Sequence, residues 1–228
     1  MDEIKQTDVL KRFTSGVFHK IRNSLGIINT SVQYCLAYPN GKEKVKDHLE
    51  NVAKYIKNIE KTLECIDAFS RPLQLNLKPL LVKEFLDKLY YMIEDKCRYQ
   101  EVKLTEKYRH ISSQITADSD YLEEALLNFI INSLEAMPNG GMLSMELSVS
   151  SNKEDVIIKI VDTGPGILDR HLNEIFDPFF TTNENRVGLG LSIAQRIIDA
   201  HKGRIEVNSD LGKGTVVRVY LPLLKPGK

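Results

Sequence analysis

The chain has 228 residues, 42% of them hydrophobic and 27% charged, with 31 basic and 31 acidic side chains that cancel to a formal net charge of zero. That length admits two modest domains, and the charge balance removes any bulk electrostatic case for a nucleic-acid or anionic-membrane partner. No apolar run approaches the ~20 residues of a membrane span, and the charged start Met1-Asp2-Glu3-Ile4-Lys5 does not read as a signal peptide. The cysteines Cys35, Cys65 and Cys97 are odd in number and lack metal-ligand spacing, so they are expected as packing residues in a reducing cytoplasm.

Residues 7–38 carry Leu10, Phe13, Val17, Ile21, Leu25, Ile28, Val32 and Cys35 at spacings of three and four, the stripe of an amphipathic helix. Pro39-Asn40-Gly41 closes it in a turn. A second helix over 42–69 places Val45, Leu49, Val52, Ile56, Ile59, Leu63 and Ile66 in a sustained heptad. Two helices with one apolar stripe each cannot cover their seam alone, which predicts pairing with a second copy into a four-helix bundle. His19 and Asn23 lie four residues apart, off that seam and on one exposed face.

Arg71-Pro72 ends the hairpin, because a proline disfavours helical geometry in the residue before it. Leu73, Leu75 and Leu77 alternate with polar residues as a short strand, and an α+β domain follows. Helices are expected over 81–99, over 120–137 opened by Asp120 with Glu123 as a capping box, and over 191–201 closed by Gly203. Strands are expected over 102–108, 114–116, 142–150, 156–161, 204–208 and 215–221, with a long irregular stretch from Asp162 to Val187.

Four segments of this second domain look chemical. On the 120–137 helix, Glu124, Asn128, Asn132 and Glu135 share a polar face whose oxygens could help hold Mg²⁺, or could be a plain solvated stripe. Asp162-Thr163-Gly164-Pro165-Gly166 puts a carboxylate at the end of a buried strand, where it could accept from an exocyclic amine beside glycines that leave room for a flat ring. Gly188-Leu189-Gly190-Leu191 opens a helix whose N–H groups could converge on phosphate. Between them, Phe176, Phe179 and Phe180 give the irregular stretch an apolar anchor.

In this order, Asn128-x-x-x-Asn132-Ser-Leu-Glu-Ala-Met, Asp162-Thr-Gly-Pro-Gly, Phe176-Asp-Pro-Phe-Phe and Gly188-Leu-Gly-Leu resemble the N, G1, F and G2 boxes of the GHKL ATPases. His19-Lys20-Ile21-Arg22-Asn23-Ser24-Leu25 resembles the H box of sensor histidine kinases, of general form H-E-x-R-N-P-L. The resemblance implies an α+β protein. Residues 1–71 would be a dimerisation and histidine-phosphotransfer hairpin forming a dimeric four-helix bundle, and 72–228 a catalytic ATP-binding domain of Bergerat fold.

By the same resemblance His19 is the phospho-acceptor, and Asn23 orients water when such proteins act as phosphatases. Asn128 and Asn132 associate with Mg²⁺, Asp162 reads adenine, and Gly164 and Gly166 shape its pocket. Gly188, Leu189 and Gly190 flank the phosphates, residues 167–187 with Thr181, Thr182 and Arg186 form the ATP lid, and Thr215 supports the adenine site. ATP and Mg²⁺ are the implied cofactors; a second copy of the chain and a response-regulator receiver domain are the implied partners. The implied activity is autophosphorylation of His19 with transfer to a regulator aspartate.

The sequence departs from the pattern at Lys20, where relatives carry an acid, and in the lid, where Arg186 is the only basic group near the G2 box. Lysine cannot accept a hydrogen bond from the histidine ring, so a catalytically weak or inactive ATP-binding dimeric scaffold is the alternative reading. A gyrase- or MutL-type ATPase or an anti-sigma serine kinase is a further one, against which the heptad hairpin and the chain's end soon after Pro222 argue.

Overall fold

A computed structural model describes residues 2–70, 72–108, 111–183 and 186–224; the side chains of residues 2–15, His19, Lys61, Cys65 and 68–70 fall outside the description. The chain divides into two compact units, one of Met1–Pro72 with Asp177–Leu189, the other of Leu73–Phe176 with Gly190–Lys228.

The first unit is built on α1 (Asp2–Ala37) and α2 (Lys42–Ser70), joined by the tight turn in which the Gly41 N–H donates to the Tyr38 carbonyl at 3.1 Å. Next to the turn, Tyr34 stacks on His48 with ring centroids 4.2 Å apart, and His48 Nδ1 lies 3.3 Å from the hydroxyl of buried Ser31. The apolar stripes are each half covered. Val45, Val52, Ile59 and Ile66 are partly buried, whereas Leu49, Ile56 and Leu63, the alternate members of the heptad, stay 54%, 46% and 52% exposed.

The second unit is α+β, with β1 (Lys78–Leu81), α3 (Val82–Tyr99), β2 (Val102–Lys107), β3 (Gln114–Ala117) and α4 (Ser119–Ala136) in its first half. β4 (Gly141–Val149), β5 (Asp155–Asp162), the single turn α5 (Asp169–Leu172), α6 (Gly190–Ala200), β6 (Arg204–Asp210) and β7 (Gly214–Pro222) complete it. A five-stranded mixed sheet runs in the order β2-β4-β5-β7-β6, with β2 parallel to β4 and every other pair antiparallel; β1 and β3 form a separate two-stranded ladder. Period-two alternation turns Val156, Ile158 and Ile160 of β5 and Val217, Val219 and Leu221 of β7 to one buried face. Against it pack the apolar sides of α3 (Phe85, Leu86, Leu89), α4 (Leu122, Leu126, Phe129) and α6 (Ile197, Ile198).

Two local expectations are corrected. Leu73–Leu77 forms no strand: the ladder begins at Lys78, and the Asn76 N–H donates to the Asp118 carboxylate at 2.8 Å instead of to a neighbouring strand. The leucine alternation is real, with Leu73 packed on the core, but an extended segment without a partner is not a strand. Helix α4 is capped by Asp118, not Asp120, its Oδ1 accepting from the N–H groups of Asp120 and Tyr121 at 3.1 and 3.3 Å. The cysteines differ among themselves: Cys97 is buried, with its thiol pKa pushed up by that burial, and Cys35 is half-buried.

Asp118 ties three segments together. Its N–H donates to Nε2 of buried His201 at 3.0 Å, so that nitrogen is the bare acceptor and Nδ1 carries the proton given to the Ile197 carbonyl at 2.8 Å. Burial raises the Asp118 carboxyl pKa, but the N–H groups of Asn76, Tyr121 and Asp120 outweigh it and the net shift is downward. A depressed carboxyl stabilises the fold above its unfolded pKa and loses that contribution as pH falls through the folded value. We therefore expect Asp118→Ala to cost about 2–4 kcal/mol at neutral pH, and to flatten the loss of stability below the ordinary value of 3.8. Urea denaturation followed through amide exchange of β4 and β5 measures both effects; an unchanged midpoint would show that the cap contributes nothing.

Candidate functional site

Asp162 ends β5 on the buried side of the sheet, in register with Thr215 of β7, and is 5% exposed. A charge that deep needs partners, and three donors supply them. The Ser133 hydroxyl of α4 donates to Oδ2 at 2.8 Å, and the N–H groups of Gly164 and Thr215 donate to Oδ1 at 2.9 and 3.2 Å. A carboxylate offers about four lone-pair positions, so Oδ2 keeps one that no donor among the described residues takes.

The loop after Asp162 is shaped by what it leaves out. A Cβ on Gly164 would lie 3.0 Å from Asp162 Oδ1 and 3.2 Å from the Ala136 Cβ. Gly166 holds φ +75°, and a Cβ there would fall 2.3 Å from the Asp210 carbonyl oxygen. The loop is strapped to the β6–β7 hairpin, since Ile167 N–H donates to Ser209 Oγ at 2.8 Å and Gly212 N–H to the Pro165 carbonyl at 2.7 Å. Ser209 gives its own proton to the Gly214 carbonyl at 2.9 Å, so Thr215 is the donor in the 3.0 Å hydroxyl pair with Ser209.

On α4, Asn128 and Asn132 are half-buried and one turn apart. Asn128 donates its amide N–H to the Glu124 carbonyl at 3.0 Å, which turns Oδ1 toward Gly190 at the start of α6. A Cβ on Gly190 would sit 2.7 Å from that oxygen. Glycine thus keeps open a space lined by an amide oxygen and the first N–H groups of a helix, the combination that suits phosphate and a hard cation. In the same stripe Glu124 keeps an exposed surface, and burial on its other side pushes its carboxyl up from the ordinary range; Glu135 is exposed.

The remaining residues singled out in the sequence belong to the first unit. His19 lies in α1, its side chain outside those described, and Asn23 is exposed four residues on. Within Asp177–Leu189, Thr181 Oγ1 donates to the Asn183 carbonyl and accepts from the Asn183 N–H, both at 3.1 Å, while Thr182 is exposed. Arg186 is half-buried, and that burial lowers its guanidinium pKa; Leu189 is buried. The Phe179 N–H donates to the carbonyl of Gly188, which holds φ +80°, at 2.8 Å. The structure therefore brings Asp162, Gly164, Gly166 and Thr215 into one bonded cluster and sets Asn128 against Gly190, with Asn132 on the next turn of α4. Thr181, Thr182, Arg186, Gly188 and Leu189 fall in the unit that holds His19.

Ser133 and Ser209 are site residues that the sequence reading missed. Ser133 was legible: it is a hydroxyl on the apolar side of α4, between Ile130 and Leu134, and a polar group there needs a partner. Ser209 carried no comparable signal, because its role depends on how the hairpin folds over the loop.

Residues 117–225 match the family described as histidine kinase-, DNA gyrase B- and HSP90-like ATPases. Sporulation kinase C of Bacillus subtilis is 27% identical over 223 residues, which is 97% of this chain and 51% of that protein. The signal transduction histidine-protein kinase AtoS of Escherichia coli is 30% identical over 227 residues, 100% of this chain and 37% of that protein. The chain is similar to the sensor histidine kinases. It spans about half the length or less of the curated histidine kinases it matches. Histidine kinase ThkA, solved in complex with the response regulator TrrA, shares the fold at a TM-score of 0.77 over 96% of this chain and 63% of that one, at 24% identity. The catalytic domain of ThkA matches 64% of this chain at a TM-score of 0.58 and 26% identity.

The residues of this site fit a magnesium nucleotide. Asp162 presents a free acceptor position, Gly164 and Gly166 clear the space beside it, and the Asn128 oxygen faces the start of α6. Among the described residues no cluster of three His, Cys, Asp or Glu could hold a metal alone, so a cation here would draw its other oxygens from phosphate and water.

The loop geometry gives a paired expectation. Gly212 holds φ +78° with nothing within 4 Å of a built Cβ, so Gly212→Ala meets backbone strain alone, worth roughly 1 kcal/mol. Gly166→Ala meets the same strain and the Asp210 carbonyl as well. Thermal melts should show Gly166→Ala losing at least twice as much stability; equal losses would mean that the loop does not press on the hairpin.

Proposed function

We propose that the chain is the ATP-dependent autokinase core of a two-component system, phosphorylating His19 and passing the phosphoryl group to an aspartate of a response-regulator receiver domain. The observation that carries the proposal is the buried Asp162 carboxylate with one unclaimed lone pair beside the gaps left by Gly164 and Gly166. An exocyclic amine such as that of adenine satisfies that lone pair without leaving any polar group unpaired.

In this reading Asp162 and Thr215 hold the base end, and Asn128 and Asn132 the phosphate end. Thr181, Thr182, Arg186, Gly188, Leu189 and Gly190 supply donors to the phosphates. Mg²⁺, when bound through Asn128, Asn132 and phosphate oxygens, neutralises charge on the phosphates. An imidazole nitrogen of His19 attacks the γ-phosphorus in line; the N–P bond forms as the bond to the bridging oxygen breaks, and ADP leaves. The ring proton is lost to water or to a nearby acid, and the phosphoryl group then passes to the regulator's carboxylate. Asn23, exposed four residues after His19 on α1, would orient water against that acyl phosphate in this reading, giving a phosphatase activity as well. We assign this chemistry to the cytoplasm, where ATP is abundant; none of the described helices is long and apolar enough to cross a membrane.

The exposed set Leu49, Ile56 and Leu63 supports a homodimer through the hairpin, since heptad positions half covered in one chain are completed by a second. Sedimentation at micromolar concentration should give a dimer, and Ile56→Glu should split it without loss of helix. A monomeric parent chain with intact helix content would remove the bundle from the proposal.

For the reaction, incubation with γ-labelled ATP should give an acid-labile, alkali-stable label that disappears in His19→Gln. Asp162→Asn turns an amide donor toward the amine and should weaken ATP binding by about ten- to a hundredfold with the fold intact by circular dichroism. ATP binding without any label at His19 would favour the non-catalytic scaffold instead.

A further inference from the structure

Asp162, Thr215 and Ser209 stand in one row across β5, β7 and β6, each the register partner of the next. Directly opposite residues point to the same face of a sheet, so the three polar side chains end the face that carries Ile160 and Val217. The hydrogen-bond roles in the row follow by elimination. A carbonyl can only accept, so the 2.9 Å contact between Ser209 Oγ and the Gly214 oxygen uses the Ser209 proton. The two lone pairs left on Ser209 Oγ take the Ile167 N–H at 2.8 Å and the Thr215 hydroxyl at 3.0 Å. Thr215 has thus given its one hydroxyl proton to Ser209, and its N–H to Asp162 Oδ1 at 3.2 Å. Among the described residues no donor takes a lone pair of Thr215 Oγ1.

We propose that Ser209 is a positioning residue for base specificity: by taking the Thr215 proton it makes Thr215 an obligatory acceptor beside the Asp162 carboxylate. This inference rests on the nucleotide site proposed above and deepens it. A hydroxyl free to turn donates or accepts, so on its own Thr215 would serve an amine and a carbonyl alike. Held by Ser209, Thr215 Oγ1 offers lone pairs only, as does Asp162 Oδ2. An exocyclic amine brings two hydrogens to such a pair of acceptors. A keto oxygen brings none and meets lone pairs on both sides, so the site selects by repelling the wrong base as well as by binding the right one. The selection is set in part from a neighbouring strand, by a serine whose own three hydrogen bonds are all made within the protein.

The test uses the full chain as the parent, as Ser209→Ala, Ser209→Thr and Thr215→Val, and as the double variant of Ser209→Ala with Thr215→Val. Calorimetry gives the affinity of each for ATP and for inosine triphosphate, whose base carries a keto oxygen in place of the amine. Ser209→Ala frees the Thr215 proton to turn toward the base. It should bind inosine triphosphate several-fold more tightly than the parent does, and ATP no more tightly. A loop that had merely loosened would weaken both nucleotides, so the gain for one of them reads the hydroxyl and not the strap. Ser209→Thr keeps the acceptor and should restore the parent's preference. Without a hydroxyl at position 215, Ser209→Ala has no proton to release and should leave the preference unchanged. An unmoved preference in Ser209→Ala, or the same narrowing in the Thr215→Val background, overturns the role of Ser209. If the Ser209→Ala chain does not fold by circular dichroism, Thr215→Val decides: it should weaken ATP several-fold and inosine triphosphate not at all, and equal losses overturn the proposal. Equal binding of the two nucleotides by the parent overturns the reading of the base site itself, whereas a discriminating parent with an unmoved Ser209→Ala variant overturns this inference alone.

Discussion

A carboxylate buried at the end of a strand is costly unless each face of it is answered, and the second unit is arranged around answering Asp162. The Asp162–Thr215 register of β5 and β7 delivers one N–H, the turn into Gly164 a second, and the rotation of α4 the Ser133 hydroxyl. A one-residue slip of β5 against β7 would face the carboxylate away from α4 and carry Val156, Ile158 and Ile160 out of the core with it. The same register that packs the apolar face therefore fixes the chemistry at its end.

Helix α4 carries two requirements at once. Its apolar side, Leu122 to Leu134, packs on the sheet, while Asn128 on the flank looks toward the start of α6, with Asn132 one turn further on. Its N-terminus is held by Asp118, which joins the segment after Pro72 through Asn76 and the end of α6 through His201. With its N-terminus bonded through Asp118 and its last turns through Ser133 to Asp162, the helix offers the asparagines from a rigid support rather than a loop, which suits preorganised binding.

Much of this was legible from periodicity. The heptad of α2, the alternation in β5 and β7, and the side of α4 bearing Asn128 and Asn132 follow from spacing alone, because each reflects a local repeat. Features that depend on distant segments were not legible. Leu73–Leu77 has the alternation of a strand, but its backbone is bonded by Asp118, forty-two residues away. Asp118 and Asp120 are equally good caps on paper, and the choice between them is made by Asn76 and His201. Asp177–Leu189 groups with α1, where Phe179 lies against Gly16 and Lys20 donates to the Arg186 carbonyl, and neither residue announces a partner more than 160 residues on.

The most direct measurement of the central claim is a comparison of ATP with inosine triphosphate. The two nucleotides share ribose and phosphates, and differ in the amine that would meet Asp162 and the carbonyl oxygen that replaces it. If the unclaimed lone pair on Oδ2 is the base-reading group, an oxygen set against it leaves a buried charge repelled and unpaired. Calorimetry should then show inosine triphosphate binding about ten- to a hundredfold more weakly than ATP. Equal affinities would contradict the assignment of Asp162 as the reader of the base.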